Sequence, residues 1–240
     1  MDDIILNIST CALNFRLPHG MDYSRHIYRS GNFNQLNKSS LSLLREKIGI
    51  THLYDLRTHQ EYKNDNIEEL CSWYDLKLVS LPLGNFPSRF RTKKILLPED
   101  YVQYYEQILA YNQSELYILF TELLYHLNFR NFVFGCHAGK DRTGIVSYLL
   151  LSMAGKSIDD KVKDYVLSSY YINQKLDFFK KSWQKRGLTP LEYAKRIEAI
   201  PTTIKLFDRS IKSIYGGVEN YFNTIGFNWR EITGIKKSLE

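Results

Sequence analysis

A short apolar run at residues 131–134 leads straight into Gly135-Cys136-His137-Ala138-Gly139-Lys140-Asp141-Arg142-Thr143-Gly144. An apolar helix pattern at 145–153 follows, closed by Gly155. A strand passing into a helix through one tight loop is a building unit of α/β proteins, and it restricts the chain to that class more than any other feature. The rest of the sequence agrees. Residues 26–31 read as a strand stopped by Gly31. Ser39 or Ser40 can cap a helix with Leu41, Leu44 and Ile48 on one face, and Gly49 ends it. Strands follow at 50–56 and within 73–81, the second stopped by Pro82. Helices are expected at 98–110 and 114–127, the latter with Leu116, Phe120, Leu123, Leu124 and Leu127 on its apolar face. Ser157-Ile158-Asp159-Asp160 has the form of a capping box, with Ile158, Val162, Tyr165 and Val166 inward, and the remainder is helical in pattern with breaks near Gly187 and Gly216-Gly217. The expected fold is α/β: a central, mostly parallel sheet of four to five strands flanked by helices, with further helices at the C-terminus.

The length, 240 residues, suits a single domain over 1–240. Between 84 and 99 the periodic pattern breaks. Pro87 and Pro98 bracket Arg89-Phe90-Arg91-Thr92-Lys93-Lys94, either a solvated basic loop or a lid, so 84–112 is a candidate lid insertion. Hydrophobic residues make up 44% and charged residues 24%, which excludes a disordered chain. The formal net charge of +6 favours anionic partners: phosphorylated groups, an acidic membrane surface or nucleic acid. No nucleic-acid recognition motif is present, so that class is not expected. Nowhere do 18 apolar residues run together, so no transmembrane helix is expected, although peripheral contact with an anionic membrane fits the charge. Cys11, Cys71 and Cys136 are odd in number, far apart and in no CxxC pair, which excludes a disulfide framework and points to a reducing compartment. The N-terminus has no signal-peptide pattern. A cytoplasmic location is expected, with export by a route that needs no such signal left open. The sequence does not specify an oligomeric state.

The 135–144 loop is where chemistry gathers. A tight turn between strand end and helix start directs backbone N–H groups inward as an anion-binding nest, and the helix N-terminus adds positive potential. Arg142 offers a planar fork for two phosphate oxygens, Cys136 stands at the bottom as a nucleophile, and Gly139 and Gly144 allow close backbone approach. Neighbouring cations and a helix N-terminus favour thiolate over thiol. Rival readings fit poorly. A nucleotide-binding G-x-x-x-x-G-K-[ST] loop fails at Phe134 and Asp141. Cys136 and His137 lack a second ligand pair for a metal. A merely structural cysteine would leave the Lys, Asp, Arg and Thr between two glycines unexplained.

Cys136 to Arg142 matches the C-x5-R signature of cysteine-dependent phosphatases, and Cys-His-Ala-Gly-Lys-Asp-Arg-Thr-Gly resembles the atypical bacterial group related to mycobacterial PtpB and Listeria LipA. The likeness extends to Ile27–Gly31, to Gly49-Ile50-Thr51 with Asp55-Leu56-Arg57, and to Tyr215–Tyr221 with Ile225-Gly226. It implies a phosphatase-like fold acting on phosphotyrosine in proteins, on phosphoinositides, or on both, without metal or other cofactor. It further implies a phosphocysteine on Cys136, phosphate held by Arg142 and by the loop residues His137, Ala138, Gly139, Lys140 and Gly144, and assistance from Thr143 as the thiolate departs. Asp141 would be the acid for the leaving oxygen; Asp100 is the alternative, or else a helix N-terminal charge. Asp55 and Arg57, after a strand, would buttress the loop, or Arg57 would pair with Glu61 four residues on. Most members carry His immediately before the nucleophile, where this chain has Gly135. A catalytically weak phosphate-binding module on the same fold is the second reading.

Overall fold

The computed structural model describes residues 5, 8–9, 12–22, 27–62, 66–86, 96–126 and 131–239. Cys11, His26, Leu127 and the basic segment 89–94 lie outside the described residues. Four strands form one sheet: β1 (Ile27–Ser30), β2 (Ile50–Asp55), β3 (Lys77–Ser80) and β4 (Asn131–Gly135). All pair parallel in the order β1-β4-β2-β3, with Tyr28 opposite Val133 and Leu53 opposite Val133 from the other side. The apolar run of β4 therefore lies at the centre, as a strand buried on both faces requires. Side chains alternate across it. Phe132 and Phe134 join the larger core with Ile27 and Tyr54, whereas Val133 packs with Tyr28, Leu53, Phe15 and Phe33 in a second core on the opposite face. β3, short and polar at both ends, is one edge of the sheet and β1 is the other.

Among the described residues six helices are longer than ten residues: α1 (Pro98–Tyr111), α2 (Gln113–His126), α3 (Asp141–Met153), α4 (Ile158–Asn173), α5 (Pro201–Tyr215) and α6 (Trp229–Leu239). Residues 98–111, the second half of the stretch considered for a lid, bury Tyr101, Tyr104, Tyr105, Ile108 and Leu109 of α1 in the larger core. α3 is buried on every side from Arg142 to Leu151, which makes it the central helix of that layer. It starts at Asp141, four residues before its apolar run, because the loop's own residues make its first turn.

Three local details differ from the sequence reading. The helix Lys38–Ser42 is capped by Asn37, whose side chain accepts from Ser40 N–H at 2.9 Å, and not by Ser39 or Ser40. An amide oxygen placed three residues ahead reaches the N–H that a serine already inside the turn cannot. A helix at Ile67–Ser72 takes the chain between β2 and β3, leaving β3 only the last part of 73–81. In α4 the Ser157–Asp160 capping box is present, but Val166 is only half-buried; the buried face carries Asp164, Tyr165, Ser168 and Ile172. Two polar residues on that face point toward ionic partners, which β1 and the segment before it supply.

Candidate active site

β4 ends at Gly135, α3 begins at Asp141, and the five residues between them form the loop at the C-terminal edge of the sheet. Its shape is set from behind. Asn14 Nδ2 donates to Gly139 O at 2.7 Å and to Ala138 O at 3.3 Å, and Arg29 Nη2 donates to Gly139 O at 2.6 Å. Asn32 N–H donates to His137 O at 3.2 Å. Arg29, fully buried, is paired with Asp164, whose carbonyl is held by Arg16 at 2.6 Å. Burial and the neighbouring Arg29 lower the Arg16 pKa to about 9, with Asp164 opposing. The carbonyls of His137, Ala138 and Gly139 are thus committed on one side, while among the described residues no acceptor takes the N–H of Ala138, Gly139 or Lys140. The first-turn N–H groups of α3 add to these donors.

Gly139 has φ +68°, and a Cβ there would sit 2.7 Å from Gly31 N and from Ser30 O. Only glycine fits that approach. Gly135 is explained in the same way: a Cβ would meet Gly31 O at 2.6 Å and the Phe33 ring at 2.9 Å. The space that a larger residue before Cys136 would need is filled by Phe33.

Cys136 is buried at the foot of a pocket of about 890 Å³, and Thr143 Oγ lies 3.1 Å from its Sγ and 3.3 Å from Ser30 O. Arg142 enters the same pocket. Its Nη1 and Nη2 donate to the two oxygens of Glu61 at 2.6 and 2.8 Å, and Nη1 also reaches Leu56 O at 3.3 Å. Five guanidinium N–H groups exist, and among the described residues no acceptor takes the edge formed by Nε and the second Nη2 proton: a planar fork of the width of two phosphate oxygens. Burial lowers the Arg142 pKa, but the Glu61 hydrogen bonds and the nearby Cys136 raise it further, so it is held above its ordinary value. Burial pushes the Glu61 carboxyl up, but Arg142 and the Thr58 N–H and hydroxyl, each at 2.9 Å, bring it well below the usual carboxylate range.

The other residues singled out from the sequence fall into two groups. His137, Ala138, Lys140 and Asp141 line the pocket with Cys136 and Arg142. The His137 ring rests against Phe178 and Phe179, both with centroids at 5.5 Å. Lys140 is buried; its ammonium donates to Ile197 O at 2.9 Å, sits 4.1 Å above the Tyr101 ring and lies 3.4 Å from Asp141 Oδ1. Burial alone would lower its pKa, yet Asp141, Tyr101 and Tyr165 raise it. Gly139, Thr143 and Gly144 are outside the pocket lining: Gly144 N–H bonds Lys140 O at 2.8 Å, and its Cα faces Tyr165. Asp55 and Arg57 are buried behind the loop. Arg57 forks onto Asp55 and donates to Asn32 Oδ1 at 2.9 Å, so its pairing with Glu61 does not occur; Glu61 turns to Arg142 instead. A carboxylate two residues away on a strand end reaches the guanidinium before one four residues on. Asp100 is not in the lining: its Oδ2 accepts from Leu97 N–H at 3.0 Å at the start of α1. Burial raises the Cys71 pKa to about 12, which leaves that thiol inert.

The sequence reading missed the far wall. It comes from Lys181, Ser182, Lys185 and Arg186 around the helix Lys180–Lys185, and from Tyr193, Arg196 and Ile197 around the helix Pro190–Arg196. The paired basic residues at 180–181 and 185–186 were its visible signal. Burial lowers the Arg196 pKa, and so does Arg186, the mark of cations crowded on one wall. Among the described residues no cluster of His, Cys, Asp or Glu could hold a metal ion, and no helix is long and apolar enough to cross a membrane.

A tyrosine-protein phosphatase of Nostoc commune is 27% identical over 217 residues, covering 87% of this chain and 71% of that protein. Among solved structures, the core catalytic domain of the PP-IP phosphatase Siw14 from S. cerevisiae is 17% identical and covers 85% of this chain and 91% of its own, with a TM-score of 0.43. P. aeruginosa TpbA is 14% identical, covering 76% and 91%, with a TM-score of 0.36. Structural likeness at this level carries nothing about ligands. Residues 22–240, nearly the whole chain, match the model of the tyrosine phosphatase family, and the protein belongs to that family.

Proposed function

We propose that this chain is a cysteine-dependent phosphatase that hydrolyses phosphate monoesters through a phosphocysteine, as one catalytic domain. The observation that carries the reading is the convergence on one pocket of Cys136, the uncommitted edge of Arg142 and Asp141. In the first step Cys136 Sγ, as thiolate, attacks phosphorus. The P–O bond breaks with its electron pair on the leaving oxygen, and Asp141 supplies the proton, ending as carboxylate. In the second step water attacks phosphorus and gives a proton to Asp141, while the P–S bond breaks with its pair returning to Sγ. Inorganic phosphate leaves, and thiolate and protonated Asp141 are restored. The loop N–H groups and Arg142 stabilise charge on the equatorial oxygens in both steps. Thr143 Oγ, close to Sγ, stabilises the departing thiolate.

Lys181, Lys185, Arg186 and Arg196 on the far wall support a substrate with more anionic charge than the reacting phosphate, and so a phosphoinositide headgroup. Phosphotyrosine in a protein is the second reading, favoured by the family. The test is release of phosphate from para-nitrophenyl phosphate without added metal, then from a panel of phosphoinositides and phosphotyrosine peptides. Cys136→Ser should nearly abolish turnover while orthovanadate still binds. Activity of that variant within twofold of wild type would overturn the nucleophile, and a wild-type protein that binds vanadate without turnover would make the chain a phosphate-binding module.

A further inference from the structure

Asp141 is held in an asymmetric way. The Tyr105 hydroxyl donates to its Oδ1 at 2.6 Å, and the Lys140 ammonium lies 3.4 Å from the same oxygen. Oδ2 receives no hydrogen bond from a described residue, and the side chain is open to the pocket. Tyr105 is fully buried on α1, and its oxygen lies 2.8 Å from the Tyr165 hydroxyl of α4. Since Tyr105 gives its proton to Asp141, Tyr165 is the donor of that second bond. Two helices thus hold the Tyr105 oxygen in place. Burial and the Asp141 charge push the Tyr105 phenol well above its ordinary pKa, so it stays protonated and remains a donor throughout the working range.

A carboxylic acid carries its proton on one oxygen. Where one oxygen already accepts a phenol proton and faces an ammonium, a proton there would meet two donors; the other oxygen meets none. We infer that Tyr105 is a positioning residue that anchors Asp141 through Oδ1 and thereby assigns the transferable proton to Oδ2, the oxygen free to reach the leaving group. This rests on the reading of Asp141 as the acid proposed above. The proton then leaves from Oδ2 as the P–O bond breaks and returns to Oδ2 from water. Tyr105 keeps its own proton in both steps.

The signature of a lost or misplaced acid is a penalty that grows as the leaving group becomes poorer, because a good leaving group departs without protonation. The experiment compares kcat/KM for phenyl phosphate and 2,4-dinitrophenyl phosphate in wild type, Asp141→Asn, Tyr105→Phe and Tyr165→Phe. Asp141→Asn should lose about 10²-fold or more on phenyl phosphate and far less on the dinitrophenyl ester. Tyr105→Phe should show the same slope at about tenfold on phenyl phosphate, the size of a charge-assisted hydrogen bond. Tyr165→Phe, which leaves the Tyr105–Asp141 bond in place, should change both substrates by less than about threefold. If Tyr105→Phe lowers the melting temperature, the double variant Tyr105→Phe/Tyr165→Phe leaves no stranded hydroxyl, and the same slope is expected there. Equal losses on both esters in the Tyr105 variants, with the Asp141→Asn slope intact, would overturn the positioning role alone. No slope in Asp141→Asn would overturn the acid itself and the inference with it.

Discussion

Gly135 is where the packing behind the loop is tested most directly. In Gly135→Ala the new methyl would lie 2.6 Å from Gly31 O and 2.9–3.0 Å from the Phe33 ring, where ordinary contact begins at 3.4 Å. Neither neighbour has room to withdraw. Gly31 is backed by Leu13, which accepts its N–H at 2.6 Å, and Phe33 is buried in the second core. The strain must pass into β4 and the loop, an overpacking cost of about 2 kcal/mol. For a chain of this size that corresponds to a melting temperature lower by about 4–8 °C. Cys136 is the next residue, so a displacement of about half an ångström should lower kcat/KM for para-nitrophenyl phosphate roughly tenfold. Gly135→His, which places a far larger side chain at the same point, should fare worse and yield little folded protein. Adding Phe33→Leu to Gly135→Ala relieves the ring contact but not the carbonyl, so recovery should be partial. Thermal melts by circular dichroism and steady-state kinetics decide the matter. A Gly135→Ala protein that melts within 1 °C of wild type with unchanged kcat/KM would refute the reasoning.

Two further outcomes follow from the pocket. Glu61 is held below its ordinary pKa of 4.5 by Arg142, so its stabilising contribution is whole above that value and is lost as pH falls below it. Glu61→Gln should therefore cost about 2 kcal/mol at pH 7, with the gap in melting temperature narrowing toward pH 3; a gap independent of pH would count against the pairing. Replacing Lys181 and Lys185 with Gln should raise KM for phosphoinositides several-fold at low salt, with the difference closing at high salt, and leave para-nitrophenyl phosphate unaffected; identical salt-independent changes for both substrates would remove the far wall from recognition.

The sheet was largely readable because its signals are local: the apolar run at 131–134, the glycine stops after 26–30 and 48, and the C-x5-R spacing all lie within a few residues of one another. What sequence reading missed is held by partners distant in the chain. Nothing near Asn14 or Arg29 announces the carbonyl of Gly139, and nothing near Asp164 announces a guanidinium on β1. Glu61 looked like a partner for Arg57, four residues away, but the fold brings Arg142 to it and leaves Arg57 to Asp55. The far wall is another such case: Lys181, Lys185, Arg186 and Arg196 are brought to the pocket by two helices later in the chain, while the basic segment 89–94 lies outside the described residues. Periodicity reports which face of an element is buried; it carries no information on which distant element covers that face.

The order of the strands has a consequence for how the chain is made. β4 fills the middle of the sheet but is the last strand synthesised, so β1 and β2 have no shared partner until it emerges. Until then Tyr28, Leu53 and their neighbours present open strand edges with apolar side chains, and pairing must wait for a contact with the opposite half of the chain. Such non-local pairing folds slowly and leaves the nascent chain prone to association. The catalytic loop, which continues directly from β4, can take its shape only after that strand has been inserted, so a ribosome-bound chain stalled before it would expose the N-terminal strands to chaperones and carry no phosphate site.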